Sequence, residues 1–261
     1  MTITFIGTGA ADWDWGTMPP GTRGSTATLV GGSCLIDAGP TVMRGLAEAG
    51  VDPGAIADIV VTHSHQDHFR PETIAALSDA RGGNLRVWAA PEAIQALGGI
   101  QCDKRPLCAG ARFECGDLRY TALPSNHATG NIREQTFHFL IEDGQTTILY
   151  ALDGAWILAK AQDILGRTLA GRKLDAVIWD ATCGPSPAGW RYAAHNDLAM
   201  IDAMKADMDD ASVTAAGTVH ILDHIARTLW PTDAEERRAI ASRHGCILAE
   251  DGMSVNIPME A

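Results

Sequence analysis

The feature that most restricts the fold of this 261-residue chain is a cluster of histidines directly after an apolar segment. Residues Asp58–Thr62 are mostly apolar and β-branched, which predicts a short strand buried in a sheet. The run that follows is His63-Ser64-His65-Gln66-Asp67-His68. Imidazole nitrogens combined with a carboxylate oxygen suit zinc, manganese or iron better than calcium or magnesium, which prefer oxygen ligands alone. His63 and His65 therefore predict one metal site, and Asp67 and His68 predict a second.

The composition predicts a globular protein that handles small molecules. Hydrophobic residues make up 46% of the chain and charged residues 20%, which is ordinary for a globular domain. The formal net charge is −12, and no Lys/Arg cluster provides the cationic surface that nucleic-acid binding needs, so we expect a small phosphorylated substrate and no nucleic acid. No segment is apolar enough to cross a membrane, Met1–Ile6 runs into Gly7 without the basic region or cleavage site of a signal peptide, and the six cysteines form no CxxC pair. We therefore expect a cytoplasmic protein without a disulfide framework.

Strands and helices alternate along the whole chain. Strands are expected at Thr2–Ile6, Ala27–Val30, Ser33–Ile36, Asp58–Thr62, Leu85–Ala89, Phe113–Cys115, Leu118–Leu123, Thr136–Glu142, Thr146–Leu152, Ala176–Asp180 and Thr218–Leu222. A last hairpin is expected from Cys246–Glu250 and Met253–Ile257, turning at Asp251-Gly252. Helices are expected at Thr41–Ala49, Pro71–Ala80, Pro91–Leu97, Ala155–Leu169 and Asp197–Asp207, and at a segment that ends near His244 and starts at a capping box, Thr232 to Glu235. Hairpins mixed with crossover helices predict two mixed sheets packed together, with helices outside, in a single domain of residues 1–261.

Three further residues that can bind metal each follow a predicted strand. They are His127, Asp153 and His224. Alone, each is a weak signal, because a single His or Asp at a strand end is more often a turn or capping residue. Together they supply the donors that a two-metal site needs beyond the first run. The irregular segment Ala11–Gly24 is expected to form a loop over this site.

This order of ligands resembles the metallo-β-lactamase superfamily, whose signature is HxHxDH followed by a distal His, Asp and His. The resemblance extends over nearly the whole chain, from Gly7-Thr-Gly9 to His224. It implies an α/β (α+β) fold, an αββα sandwich of two mixed β-sheets with outer helices, and a dinuclear centre between the sheet edges. It also implies that Asp37 helps to orient the ligands. By match to the family's motifs, one ion is held by His63, His65 and His127, and the other by Asp67, His68 and His224, with Asp153 bridging the two.

Within the superfamily, the chain is most similar to the PhnP type, the phosphoribosyl cyclic phosphodiesterases of carbon–phosphorus lyase pathways. Ile36-Asp-Ala-Gly39 downstream of Arg23–Thr26 and the segment His195-Asn-Asp-Leu198 resemble stretches of that type, in which the histidine of the HxDL segment is a catalytic group. The resemblance favours a homodimer, because relatives are commonly dimers. One difference is clear, since Asp12–Gly24 lacks the cysteine-rich zinc loop common in PhnP-type proteins. The loop architecture, dimer contacts and substrate choice stay open at this point.

The expected function is hydrolysis of small, cyclic, phosphoribosyl-type phosphodiesters by a hydroxide that bridges two divalent ions, Mn²⁺ or Zn²⁺. His195 is the expected general acid, Asp67 belongs to the catalytic group as well as to the metal ligands, and Arg23 and Arg133 are candidate phosphate anchors. His138, His220 and His244 are expected to stay outside the site.

Two alternatives remain open. One is another hydrolase of this fold, such as a lactonase, a thioesterase or a tRNA 3′-processing nuclease, and the other is a non-catalytic metal-binding or sensor protein.

Overall fold

The computed structural model describes residues 1–258 and contains two β-sheets of seven strands each. The strands of the first sheet, numbered in chain order through the molecule, are β1 Thr2–Gly7, β2 Ala27–Val30, β3 Cys34–Ile36, β4 Asp58–Val60, β5 Arg86–Ala89, β6 Asp103–Pro106 and β14 Ser254–Asn256. The strands of the second sheet are β7 Arg112–Cys115, β8 Leu118–Pro124, β9 Phe137–Glu142, β10 Thr147–Ala151, β11 Ala176–Asp180, β12 Val219–Asp223 and β13 Ile247–Leu248. The strand orders are β14-β1-β2-β3-β4-β5-β6 and β13-β12-β11-β10-β9-β8-β7.

Six helices cover the outer faces of the two sheets, and a hydrophobic core lies between the sheets. The helices are α1 Val42–Glu48, α2 Pro71–Ala80, α3 Pro91–Ala96, α4 Ala159–Leu169, α5 Leu198–Asp210 and α6 Ala234–Arg243. The first three pack on the first sheet and the last three on the second. Along β10, Ile148 and Tyr150 join the core between the sheets, whereas Leu149 and Ala151 join the helix-facing core. This alternation is typical of a strand covered on both faces, and the predicted αββα sandwich is confirmed.

Parallel strands in both sheets bring polar residues to one edge of the sandwich. Strands β3, β4 and β5 run parallel in the first sheet, as do β10, β11 and β12 in the second. Asp37 and His63 follow β3 and β4, while Asp153 follows β10, Asp180 ends β11 and His224 follows β12. Because the carboxyl ends of parallel strands meet at the same edge of a sheet, two sheets can supply ligands to one centre.

Two predicted helix starts are wrong. Helix α4 begins at Ala159 instead of Ala155, because Trp156 takes a left-handed backbone conformation (φ 61°) and its N–H donates to Asn196 Oδ1. The predicted capping box at Thr232 is displaced by one residue, since Asp233 is the N-cap of α6 and accepts from the Glu236 N–H. A carboxylate is a strong N-cap, so Asp233 takes the position predicted for the neighbouring threonine.

The predicted C-terminal hairpin is also wrong, and one strand was missed. Strand β13 pairs with β12 in the second sheet, whereas β14 pairs with β1 in the first, so the turn between them crosses the sandwich. Asp251 holds this crossing by accepting hydrogen bonds from Thr8 Oγ1 and the Gly24 N–H. The missed strand β6 is the charged segment Asp-Lys-Arg-Pro, which protects a sheet edge and lacks an apolar pattern. No helix within residues 1–258 is long and apolar enough to cross a membrane.

Candidate metal centre

The histidine run lies in a fixed loop after β4. Ser64 donates two hydrogen bonds to Glu134, from its N–H to Oε1 (2.7 Å) and from its hydroxyl to Oε2 (2.5 Å). The carbonyl of His65 accepts the N–H groups of His68 and Phe69, which closes the loop as a tight turn. Because the backbone is held on both sides, the three histidines and Asp67 of the run are fixed beside one another as donor groups.

Three imidazoles form the first donor cluster. His65 Nδ1 lies 2.9 Å from His63 Nε2 and 3.0 Å from His127 Nε2. Ligands around one ion with bonds of about 2.1 Å are separated by roughly 3.4 Å, so a small rotation of these rings would admit an ion. Burial, followed by the neighbouring histidines, lowers the pKa of His63 and of His65. Neutral imidazole is the form that binds metal.

Two carboxylates and two imidazoles form the second donor cluster. His68 Nε2 lies 2.6 Å from Asp153 Oδ2, 3.3 Å from Asp67 Oδ2 and 3.1 Å from His224 Nε2. Asp153 Oδ2 also lies 3.3 Å from His63 Nε2, so this carboxylate reaches both clusters. The sequence-predicted ligands therefore lie together in two adjacent groups.

The electrostatics of the second cluster fit a bound cation. Burial lowers the pKa of His224, but Asp153 and Asp67 outweigh burial and raise it to about 9. Burial raises the pKa of Asp67, but His68 and His224 outweigh burial and hold it far below its usual range. Asp153 Oδ1 is buried without a hydrogen-bond partner in the described chain. Buried carboxylates that draw protons onto imidazoles, with one oxygen unsatisfied, suit divalent ions, so these residues fit a metal centre.

Backbone strain is concentrated at this centre. Asp37, Asp153 and His224 adopt left-handed conformations, with φ values of 66°, 49° and 60°. Such conformations cost about 1–3 kcal/mol for a residue other than glycine and persist only where the surrounding structure enforces them. Here each one turns a side chain away from the strand direction at the end of its strand.

Two similar chains of hydrogen bonds support the ligands from behind. In the first sheet, Asp37 Oδ2 bonds His68 Nδ1 (2.7 Å), and the Thr62 hydroxyl links Asp37 to His63 Nδ1. In the second sheet, the Thr182 hydroxyl donates to Asp180 Oδ1 (2.8 Å) and bonds His224 Nδ1 (2.7 Å). Asp37 lies where the sequence predicts a ligand-orienting carboxylate. Asp180 and Thr182 were missed, and the only signal for Asp180 was its position at a strand end.

His195 borders the centre without belonging to either predicted ligand set. Its Nδ1 donates to Asp180 Oδ2 (2.9 Å) and lies 3.3 Å from Asp153 Oδ1. Its side chain is 18% exposed, so the ring can meet a bound molecule. Burial lowers the pKa of His195, but the charge and hydrogen bond of Asp180 outweigh burial and raise it. A raised pKa lets the imidazole keep its proton to higher pH, and a protonated imidazole that is partly exposed can donate a proton.

The centre opens into a cavity of about 370 Å³. Its lining includes His65, Asp67, His127, Asp153, His195, His224, Ala10, Ala11, Asp12, Gln66 and Arg191. The start of the predicted loop Ala11–Gly24 therefore borders the site. Neither predicted phosphate anchor lines the cavity. Arg23 is buried and donates to Thr8 Oγ1 and the Ala249 carbonyl, so its assignment as an anchor is wrong, and Arg133 is exposed elsewhere.

The other histidines lie outside the constellation, as predicted. His138 is buried in β9, and burial lowers its pKa to about 4. His220 accepts a hydrogen bond from Trp179 Nε1, and burial lowers its pKa to about 4 as well. His244 pairs with Asp202 at 2.7 Å.

The sequence of this chain matches a family model and several curated relatives. The model described as "Beta-lactamase superfamily domain" matches residues 33–232. The zinc phosphodiesterase ELAC protein 1 of Mus musculus is 39% identical over 72 residues, which are 26% of this chain and only 18% of that protein. The ribonuclease Z of Pyrobaculum calidifontis is 24% identical over 224 residues, covering 79% of this chain and 74% of that protein.

Solved structures share the fold over almost the whole chain. The metallo-β-lactamase fold protein YhfI of Bacillus subtilis has a TM-score of 0.72 at 15% identity, with 97% of this chain and 98% of that chain covered. A diphosphatase from the PhnP family has a TM-score of 0.70 at 19% identity, with 97% and 96% covered. At such low identities, these similarities establish the fold and not the reaction.

Proposed function

This chain belongs to the metallo-β-lactamase superfamily, and from that premise we propose that it is a dinuclear metal-dependent phosphodiesterase acting on small, cyclic, phosphoribosyl-type phosphodiesters. One arrangement carries the proposal. Asp153 lies between two donor clusters, and His195, hydrogen-bonded to Asp180, borders the same cavity. A paired metal site beside a positioned imidazole suits a reaction in which water attacks phosphorus while an alkoxide leaves.

We assign the two ions to the two clusters. One set of ligands is His63, His65 and His127, and the other is Asp67, His68 and His224, with Asp153 shared. A donor set rich in imidazole suits Zn²⁺ or Mn²⁺. When bound, the ions would lower the pKa of coordinated water and polarise the phosphoryl oxygens.

The protein's own groups would move the protons. Since His195 donates its Nδ1–H to Asp180, its Nε2 is the nitrogen left to protonate the leaving alkoxide. Because its pKa is raised, the imidazole keeps its proton to higher pH than a free histidine does. Asp67 borders the cavity and stays ionised, so its carboxylate can accept a hydrogen bond from the attacking water and orient it.

The size of the cavity and the charge of the chain favour a small substrate over a nucleic acid. A cavity of about 370 Å³ accommodates a phosphorylated sugar or a nucleotide. The net charge of −12 opposes a polyanion. A tRNA-type nuclease is the second candidate, favoured by the sequence similarity to a zinc phosphodiesterase and a ribonuclease Z.

The proposal is tested by reconstituting metal-stripped protein separately with Mn²⁺ and Zn²⁺. The substrates are bis(p-nitrophenyl) phosphate, 2′,3′- and 1,2-cyclic phosphates, a precursor tRNA, a lactone and a thioester. We expect turnover of the small diesters and cyclic phosphates alone. Processing of the tRNA with no activity on cyclic phosphates would favour the nuclease, and turnover of only lactone or thioester would reject phosphodiester chemistry.

Two substrates with different leaving groups distinguish an acid role of His195 from a structural role. The p-nitrophenolate group is a weak base and leaves without a proton, whereas the alkoxide of a cyclic phosphate needs one. His195→Ala should therefore lower turnover of the cyclic phosphate by about 10²- to 10⁴-fold and spare bis(p-nitrophenyl) phosphate. His244→Ala, at a histidine paired with Asp202 outside the site, is the matched control. Equal losses on both substrates would remove the acid assignment.

A further inference from the structure

Arg191 lies on the cavity wall near the proposed acid, in a segment to which the sequence assigns no function. We propose that Arg191 binds a second phosphate group of the substrate, a phosphate monoester separate from the diester that is cleaved. This inference rests on the proposed function and identifies the residue that selects among small phosphodiesters.

Arg191 is the only lysine or arginine among the residues that line the cavity. No carboxylate in residues 1–258 lies within 4.0 Å of its guanidinium. Among the residues that line the cavity, Asp12 is the acidic residue outside the metal clusters, and it is already engaged. Its carboxylate accepts the N–H groups of Arg227 and Thr228 and the Thr228 hydroxyl. In a chain with 32 acidic and 20 basic residues, a cavity-facing arginine without an acidic partner suits an anion supplied by the ligand.

The guanidinium of Arg191 stacks on the ring of its neighbour in the chain. Its guanidinium carbon lies over the ring of Trp190, 4.4 Å from the ring centroid. Stacking occupies the face of the guanidinium and leaves the N–H groups on its edge able to donate. The residue is half-buried, so part of the side chain remains accessible to a bound molecule.

Arg191 and His195 belong to the same tight turn. The Arg191 carbonyl accepts the N–H groups of Ala194 (2.7 Å) and His195 (2.9 Å). Asp197, the N-cap of α5, anchors the start of this segment by accepting the Ala188 N–H at 2.8 Å. The backbone of the turn therefore fixes the spacing between the Cα atoms of Arg191 and His195. A phosphate bound at Arg191 would align the diester with the imidazole that protonates its leaving group.

A phosphate monoester fits this site better than a single carboxylate. The planar guanidinium binds two phosphate oxygens at once, which adds direction to the attraction. A dianion also gains more than a monoanion from the same guanidinium, because the attraction grows with the charge of the ligand. The cavity volume leaves room for one sugar between two phosphates.

The test compares two substrates that differ in one group, adenosine 2′,3′-cyclic phosphate with and without a 5′-phosphate. For the metal-loaded wild type, we expect a lower KM for the 5′-phosphorylated compound. Arg191→Met should raise that KM by about 10- to 100-fold with little change in kcat, and should leave the compound without the 5′-phosphate unaffected. Arg191→Lys should recover part of the preference. Arg167→Met, at an exposed arginine of α4 that pairs with Asp163 outside the cavity, is the control and should change neither KM.

Different failures have different meanings. If both cyclic phosphates turn over and Arg191→Met loses activity on them equally, the proposed function stands and the role of Arg191 is rejected. If no phosphodiester turns over, the proposed function fails, and the role of Arg191 is decided by calorimetric titration of the metal-loaded protein with ribose 5-phosphate. Binding at least 10-fold weaker in Arg191→Met than in the wild type would support the site, and equal binding would overturn it.

Discussion

Asp180→Asn removes the charge that orients His195, and its effect can be worked out from one hydrogen bond. His195 Nδ1 donates to Asp180 Oδ2 over 2.9 Å, and Asp180 is fully buried. A hydrogen bond to a charged group contributes about 1.5–3 kcal/mol. If proton donation depends on this bond, its loss lowers kcat/KM for a cyclic phosphate by roughly 10- to 150-fold. The loss of this bond also lowers the pKa of His195, because Asp180 is the group that raises it.

The direction of the pH effect follows from the sign of the shift. Asp180 raises the pKa of His195, so the wild-type imidazole keeps its proton to higher pH. In Asp180→Asn the proton is lost at lower pH, and the alkaline limb of the profile of kcat/KM against pH should move to lower pH. On bis(p-nitrophenyl) phosphate, which does not need the acid, the limb should stay where it is.

The assay compares wild type, Asp180→Asn, His195→Ala and the double variant on adenosine 2′,3′-cyclic phosphate, with a thermal melt of each. Asp163→Asn, at an exposed aspartate of α4, is the matched control. Asp180 also holds the Thr182 hydroxyl that bonds His224, so bound metal per chain is measured for every variant. At equal metal content, the double variant should be no slower than His195→Ala. An alkaline limb that does not move, or single losses that multiply in the double variant, would refute the reasoning.

Three further predictions concern the metal centre. Asp153→Ala should lose bound metal from both clusters, measured as metal per chain by elemental analysis, and should lower activity by more than about 10³-fold, because the carboxylate reaches both donor sets. Gly39→Ala should destabilise the protein by about 3 kcal/mol or more and weaken metal binding, because the added Cβ would lie 1.8 Å from the Asp67 carbonyl oxygen. Calorimetric melting measures the loss of stability. In metal-free protein, the His224 pKa of about 9 exceeds its unfolded value of 6.5. Protonated His224 therefore contributes about 3 kcal/mol to the free energy of unfolding below pH 6.5, and this contribution disappears as the pH rises through 9. Urea unfolding at pH 6 and pH 10 measures that loss, and equal stability at both pH values would contradict it.

Much of the fold and the ligand set was predictable from local patterns. Short apolar segments predict strands because a covered strand needs apolar side chains on both faces, and ligands at strand ends meet because parallel strands end at one edge. The predicted ligands from His63 to His224 accordingly lie in two adjacent clusters. The ions themselves, and the roles of these residues in binding them, stay predictions that metal analysis can test.

The features that were missed depend on contacts between distant parts of the chain. Asp180 gains its role only because the turn before α5 places His195 Nδ1 within 2.9 Å of it. In the sequence, nothing distinguishes Arg191 from an ordinary surface residue, and only the fold shows that it lines the cavity. The final turn at Asp251 has the local pattern of a hairpin, but its carboxylate bonds Thr8 and Gly24, so the chain crosses to the other sheet. Neither spacing nor propensity encodes such partners.

The most direct test of dinuclear phosphodiesterase chemistry is a titration of metal-stripped protein with Mn²⁺ while hydrolysis of adenosine 2′,3′-cyclic phosphate is followed. The geometry of the two clusters predicts no turnover without metal and activity that rises until two ions are bound per chain. Two bound ions with no turnover of this or any other phosphodiester would contradict the account.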